Sequence, residues 1–469
     1  MDEMNPAPRR RKKSQMQIFK ETRLPLLIWG TAVVLILIFI TGAVVRSMND
    51  SQRKQQQKVA QAQQAEEHAR LDKQCQSLLD EAAVAAENYD YKTAIAILDR
   101  FEGDPMDFPR LHDRRTEYLR LQDQLVTWAD PAQIPNFSVQ MLIADPDRAF
   151  NDGKYGKNFT RDFLTVEEFT KILDKLYENG YVLVRLQDVF TTKTLSDGTK
   201  IFVSNTIYLP EGKKPFVLTQ TNVNYHTYLV DGSDADKLPD ANGRGFACKL
   251  VFDDEGNLTN EYVDSEGTSH TGSYDMIPIL EAFIREHPDF SYRGARAVIA
   301  VTGYDGLFGY RTNSAAESDF DTEAETQGAV KVATKLQQLG YELACYTYAN
   351  VPYGSLSVTD METDLRGWVN EVPAILPDIN IFVFAQNSDI AKEDGFYNDR
   401  RFTLLNDAGF EIFLGFCSSD TPWAVVTDYY VRQGRILLTP QNIMHHPERF
   451  GGILSSEEIL DANRGEIPR

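Results

Sequence analysis

Several residues in this chain are of types that do chemistry. His226, Asp305 and Asp389 each follow a short apolar run, and His445 and His446 follow the last one. Imidazole and carboxylate groups gathered at strand ends would hold one divalent metal such as zinc. Against that, the chain has only seven histidines, adjacent histidines rarely share an ion, and loop aspartates commonly cap turns. His226 and Asp389 therefore stand as weak alternatives for a metal, and the first reading is no cofactor. Asp305 and Asp389 are also the carboxylate pair to check for glycoside hydrolysis, which needs a separation of ~5 to 9.5 Å. A further set, Asn222, Asn224, Tyr225, Tyr304, Tyr346, Tyr348 and Asn350, suits sugars: ring faces stack on them and amides bond their hydroxyls. Cys75, Cys248, Cys345 and Cys417 form no CxxC pair and read as free thiols, with a Cys345–Cys417 disulfide left open.

The elements that must position these residues begin at about Asn136. The runs QMLIA (140–144), YVLVRL, FVLTQT, AVIAV, ELACYTY, IFVFAQ, EIFLGF and RILLT read as strands, with amphipathic helices between several of them. One such helix lies in TVEEFTKILDKLYENG, where Thr165 and Glu168 make a capping box and Gly180 stops it. Strand followed by helix, about eight times, implies an α/β fold: a closed or distorted (β/α) barrel with its chemistry at the strand C-terminal ends. The insertion 227–272 alternates apolar and polar residues around DDEGN and DSEG turns, as a hairpin or small meander does. GYDGLFGYRT (303–312) reads as a tight loop rather than a phosphate cradle, and its Arg311 could pair with a carboxylate or a ligand.

Ahead of the barrel (131–452, then a tail 453–469), residues 24–45 are uncharged and apolar, enough for a transmembrane helix. Seven Lys or Arg in 1–23 place that tail in the cytoplasm and the bulk outside, so a single-pass cell-membrane protein is expected. Residues 46–130 read as a helical stalk ending in a helical hairpin, through which a homodimer could form. The net charge of −21 becomes −25 once the basic tail is set aside, which argues against nucleic acid as a partner.

The segments LTVEEFTKILDKLYENGYVLVRLQDVF, KKPFVLTQTNVNY, ARAVIAVTGYDGLFGYRT and GYELACYTYANVPYGSLS, in that order, resemble the polysaccharide deacetylase (NodB-like) family over roughly residues 136–450. The resemblance implies a metal-held water attacking an acetyl group on a sugar. It maps the family's base Asp onto Thr221, its metal Asp onto Asn222, and its two metal histidines onto Tyr346 and Asn350. Neutral oxygens are poor substitutes for carboxylate and imidazole around a transition metal, and threonine is no general base near neutral pH. The expectation is a degenerate, catalytically inactive member that binds cell-envelope polysaccharide or peptidoglycan. Asn224, Tyr225, Tyr304, Asp305, Arg311 and Tyr348 are its cleft candidates. An active deacetylase with a rearranged metal site and a stalk-dimerised scaffold are the alternatives.

Overall fold

A computed structural model describes residues 24–230, 243–313, 321–391 and 395–467. The basic tail 1–23 that carries the orientation argument, and 231–242 of the insertion, lie outside the described residues. The chain divides into two compact units.

The first unit holds the described residues up to Leu78 together with Phe101–Pro109. It is built on a helix, Leu24–Glu87, whose first part is long and apolar enough to cross a membrane. Trp29, Leu35 and Phe39 are exposed there. Further along, Phe108 stacks on His68 and meets Phe101 edge-on. Arg70 joins the two segments by pairing with both Glu67 and Glu102.

The second unit holds the rest. Tyr89 takes a left-handed backbone conformation, and Asp90 then caps the helix Tyr91–Leu98 by accepting from the Thr93 N–H. The helix Pro109–Asp123 follows, and its Tyr118 packs on Tyr91. Within the stretch 46–130 expected to be helical, Val126–Trp128 is instead a strand, antiparallel to Ile207–Leu209.

Seven parallel strands close the barrel: β1 (Asn136–Val139), β2 (Lys214–Thr221), β3 (Val298–Val301), β4 (Glu342–Cys345), β5 (Ile381–Val383), β6 (Ile412–Phe416) and β7 (Val431–Leu437). Each pairs with the next, and β7 returns to β1. Two expectations are corrected. The first strand ends at Val139, so QMLIA follows it rather than forming it. Tyr181–Leu183 pairs with Lys214–Phe216 of β2, where β3 takes over only at Thr219–Thr221, so it stands outside the ring and seven strands close instead of eight.

Side chains alternate across each strand. Phe137, Leu218, Ile299, Leu343, Phe382, Phe413 and Ile436 join the core beneath the outer helices. Val217, Val298, Ala300, Ala344, Val383, Leu414 and Val431 fill the ring. By the same period β1, β2 and β7 turn polar residues inward. Asn136 donates to Gln433 and accepts from the Thr219 hydroxyl, so this buried layer is paired. Among the outer helices, Val166–Glu178 has the expected capping box and buries Phe169, Ile172, Leu173 and Leu176.

The described part of the insertion holds a short helix, Thr227–Val230, and a three-stranded antiparallel sheet of Lys249–Phe252, Leu258–Val263 and Ser269–Gly272. Residues 453–467, the described part of the segment set apart as a tail, bury Leu454, Ile459 and Arg464. The Cys345–Cys417 bridge is not formed. Cys345 ends β4 and Cys417 follows β6, with β5 between them; two strand spacings of ~4.8 Å exceed the ~7 Å Cα limit for a disulfide.

Candidate functional site

At the C-terminal end of the barrel the ring opens into a cleft of about 370 Å³. Its walls come from the ends of β1, β2, β4, β5 and β7, where barrel chemistry is expected. Thr221, Asn222, Tyr346 and Asn350, distant in sequence, all line it. Thr221 and Tyr346 arrive by strand periodicity, as the last inward positions of β2 and just past β4. Asn222 and Asn350 arrive through turns, with φ of 64° and 53°. Gln386 and Asn387 line it too, with φ of 51° and 57°. Left-handed backbone at non-glycine residues is uncommon, asparagine tolerates it best, and such positions gather at functional sites. The Asn222 and Asn350 side-chain oxygens are buried without a hydrogen-bond partner.

Sequence reasoning missed the residue that dominates the cleft electrostatically. Arg435 is an inward side chain of β7 in the series Val431, Gln433, Arg435, Leu437, and it is 1 % exposed. Its Nη1 donates to the Ser138 hydroxyl at 3.1 Å and its Nη2 to the Phe384 carbonyl at 3.0 Å, while Nε has no partner. No carboxylate lies within ion-pairing distance among the described residues. Asp389 is taken by Arg432 at 2.8 Å and by the Tyr397 hydroxyl at 2.7 Å. Burial pulls the Arg435 pKa down, partly offset by Tyr346 and Asp389. Asp162, at the cleft wall, is held by Arg161 in a two-pronged pair.

The metal implied by the resemblance can be tested against this donor set. Amide, hydroxyl and phenol oxygens stand where carboxylate and imidazole would be needed, beside a buried guanidinium. A divalent cation would meet weak ligands and a fixed positive charge, so these residues do not fit it.

The other sequence candidates sit elsewhere. Asn224 is buried and ties two loops together, donating to the Thr302 carbonyl and accepting from the Thr302 N–H. Tyr225 is buried, and its hydroxyl donates to Asp275 at 2.8 Å. Arg311 donates to the Asp305 and Tyr225 carbonyls, which fixes the glycine-rich loop. Tyr348 donates to Glu371. Asp305 accepts from the Thr227 backbone and hydroxyl, and His226 Nδ1 stands 3.5 Å from it. Burial alone would raise the Asp305 pKa, but the His226 ring, Arg311 and Thr227 outweigh it and hold the pKa below the ordinary value. His226 stacks on Tyr304. None of these six candidates, nor His226 or Asp389, lines the cleft. Among the described residues no three His, Cys, Asp or Glu side chains are grouped to hold a metal.

No family profile matches the chain, and no curated protein matches it in sequence. Among solved structures it is similar to the Streptococcus pyogenes deacetylase PplD in complex with acetate, at 10% identity over 69% of this chain and 98% of that one, with a TM-score of 0.33. It is similar also to a de-N-acetylase from Aggregatibacter actinomycetemcomitans, at 12% identity over 64% and 94% of the two chains, with a TM-score of 0.34.

Proposed function

We propose that this chain is a membrane-anchored, extracytoplasmic receptor for cell-envelope glycan, built on a deacetylase-type barrel that no longer hydrolyses its ligand. The observation that carries the reading is the convergence of Thr221, Asn222, Tyr346 and Asn350 on one cleft with Arg435 in its floor. A surface that only packed would not keep two buried, unpaired amide oxygens beside open volume, because such groups are costly without a ligand or water to satisfy them. Neutral amides, hydroxyls and a phenol are the groups that bind sugar hydroxyls. The apolar stretch at the start of Leu24–Glu87 supports anchoring, and the Lys and Arg of 1–23 support a cytoplasmic N-terminus.

The test pairs binding with turnover. The full chain in detergent micelles is titrated calorimetrically with chitotetraose and with a GlcNAc–MurNAc tetrasaccharide, and acetate release is followed in the presence of zinc, cobalt or manganese. Binding of either sugar without acetate release is the expected result. Metal-dependent acetate release would overturn the inactive reading, and no binding to either would overturn the receptor reading.

A further inference from the structure

A charge buried in a protein interior is expensive unless an opposite charge compensates it, and Arg435 has no such partner among the described residues. The neighbouring charges do not alter this. Arg432 and Asp389 neutralise each other, and so do Arg161 and Asp162, which leaves the cleft with one net positive charge at its floor. A guanidinium has five N–H groups, of which Ser138 and Phe384 take one each.

We propose that the cleft selects a glycan bearing a carboxylate substituent, with Arg435 as its counter-ion and the Asn222 and Asn350 amides bonding the neighbouring sugar hydroxyls. This rests on the glycan reading above and adds the ligand's charge to it. One guanidinium matches a monoanion. A phosphate monoester near its dianionic state would leave one negative charge without a counter-charge in the cleft. At about 370 Å³ the cleft lies toward the small end of ligand sites, ~300–1,000 Å³, and takes one or two sugar units rather than a long chain.

The experiment uses the full chain in detergent micelles and two tetrasaccharides alike in backbone, chitotetraose and GlcNAc–MurNAc, the second carrying free lactyl carboxylates. The second is expected to bind at least tenfold more tightly, and amidating its carboxylates is expected to remove the difference. Arg435→Gln is expected to reduce its affinity to that of chitotetraose, and Arg435→Lys, which keeps the charge but loses the fork, to an intermediate value. The amidated ligand needs no variant, so the test survives a substitution that fails to fold. Equal affinity for the two sugars would overturn the carboxylate assignment and leave the glycan reading standing. Failure of both sugars to bind would remove the glycan reading and this one with it.

Discussion

Glu168 and Arg464 form a fully enclosed ion pair, the acid in the first turn of Val166–Glu178 and the base near the end of the described chain. Glu168 also accepts from the Thr165 N–H, so one carboxylate both caps the helix and fastens the C-terminal segment. Arg464 in turn donates to the Thr160 carbonyl. Removing one member leaves the other charged and unpaired, which costs about 3–5 kcal/mol. Arg464→Met is therefore expected to destabilise strongly in urea unfolding, whereas Glu168→Gln with Arg464→Met recovers most of the loss, since glutamine still closes a capping box. A double variant no better than Arg464→Met alone would remove the pair from the argument.

Asp275 gives stability a pH dependence. Burial raises its pKa to about 6 from an ordinary 3.8, although the Met276 and Leu142 N–H groups, Gln220 and the Tyr225 hydroxyl all pull the other way. Between those values the folded protein keeps a proton that the unfolded chain has lost, so stability is greatest below about pH 4 and declines as pH rises to about 6. The contribution is on the order of 3 kcal/mol. Glu342, raised to about 7 by burial, adds a decline of the same sign over a window extending further up. Asp275→Asn is expected to remove the lower component from the wild-type stability profile while leaving that of Glu342. An unchanged slope between pH 4 and 6 would show that Asp275 is not the group.

The ring was legible because parallel strands covered on both faces read as apolar runs, and six of its seven strands fall within or across such runs. The exception, β1, turns Asn136 and Ser138 inward, which moved the expected strand four residues downstream to the apolar QMLIA. YVLVRL misled in the opposite direction, since Val182 and Val184 are as buried outside the ring as a ring strand would make them. Thr221, Asn222, Tyr346 and Asn350 meet at one cleft, whereas Asn224 and Tyr225 face inward to bind loops and Asp275. Arg435 was invisible because an arginine opening RILLT reads as a solvated strand end. Only its register opposite Asn136 of β1 and Phe416 of β6 turns it inward.

The asparagines with left-handed backbone separate conformation from contact. Asn222→Gly adopts the φ of 64° without a β-carbon to strain it, while Asn222→Ala keeps the β-carbon but loses the polar side chain that lets asparagine tolerate that conformation, at about 1 kcal/mol. Both remove the amide. The two variants are expected to differ in thermal midpoint by about 1–2 °C, yet to lose glycan affinity equally, by about tenfold. Retained affinity in Asn222→Gly would assign Asn222 a backbone role only.

Rebuilding a metal site in this cleft would require more than restoring its ligands. Thr221→Asp, Asn222→Asp, Tyr346→His and Asn350→His together restore the residue types that the resemblance implies. They would still surround an ion with Arg435 in the floor, and the new carboxylates would pair with that guanidinium before they met a cation. Zinc titration calorimetry is expected to give weak affinity for the fourfold variant and at least tenfold stronger affinity once Arg435→Ser is added. The gain has two sources: a fixed positive charge leaves the site, and two carboxylates are freed to serve as ligands. Equal zinc affinity with and without Arg435 would mean that the buried guanidinium does not set the charge preference of the cleft, and the case for an anionic ligand would lose its physical basis.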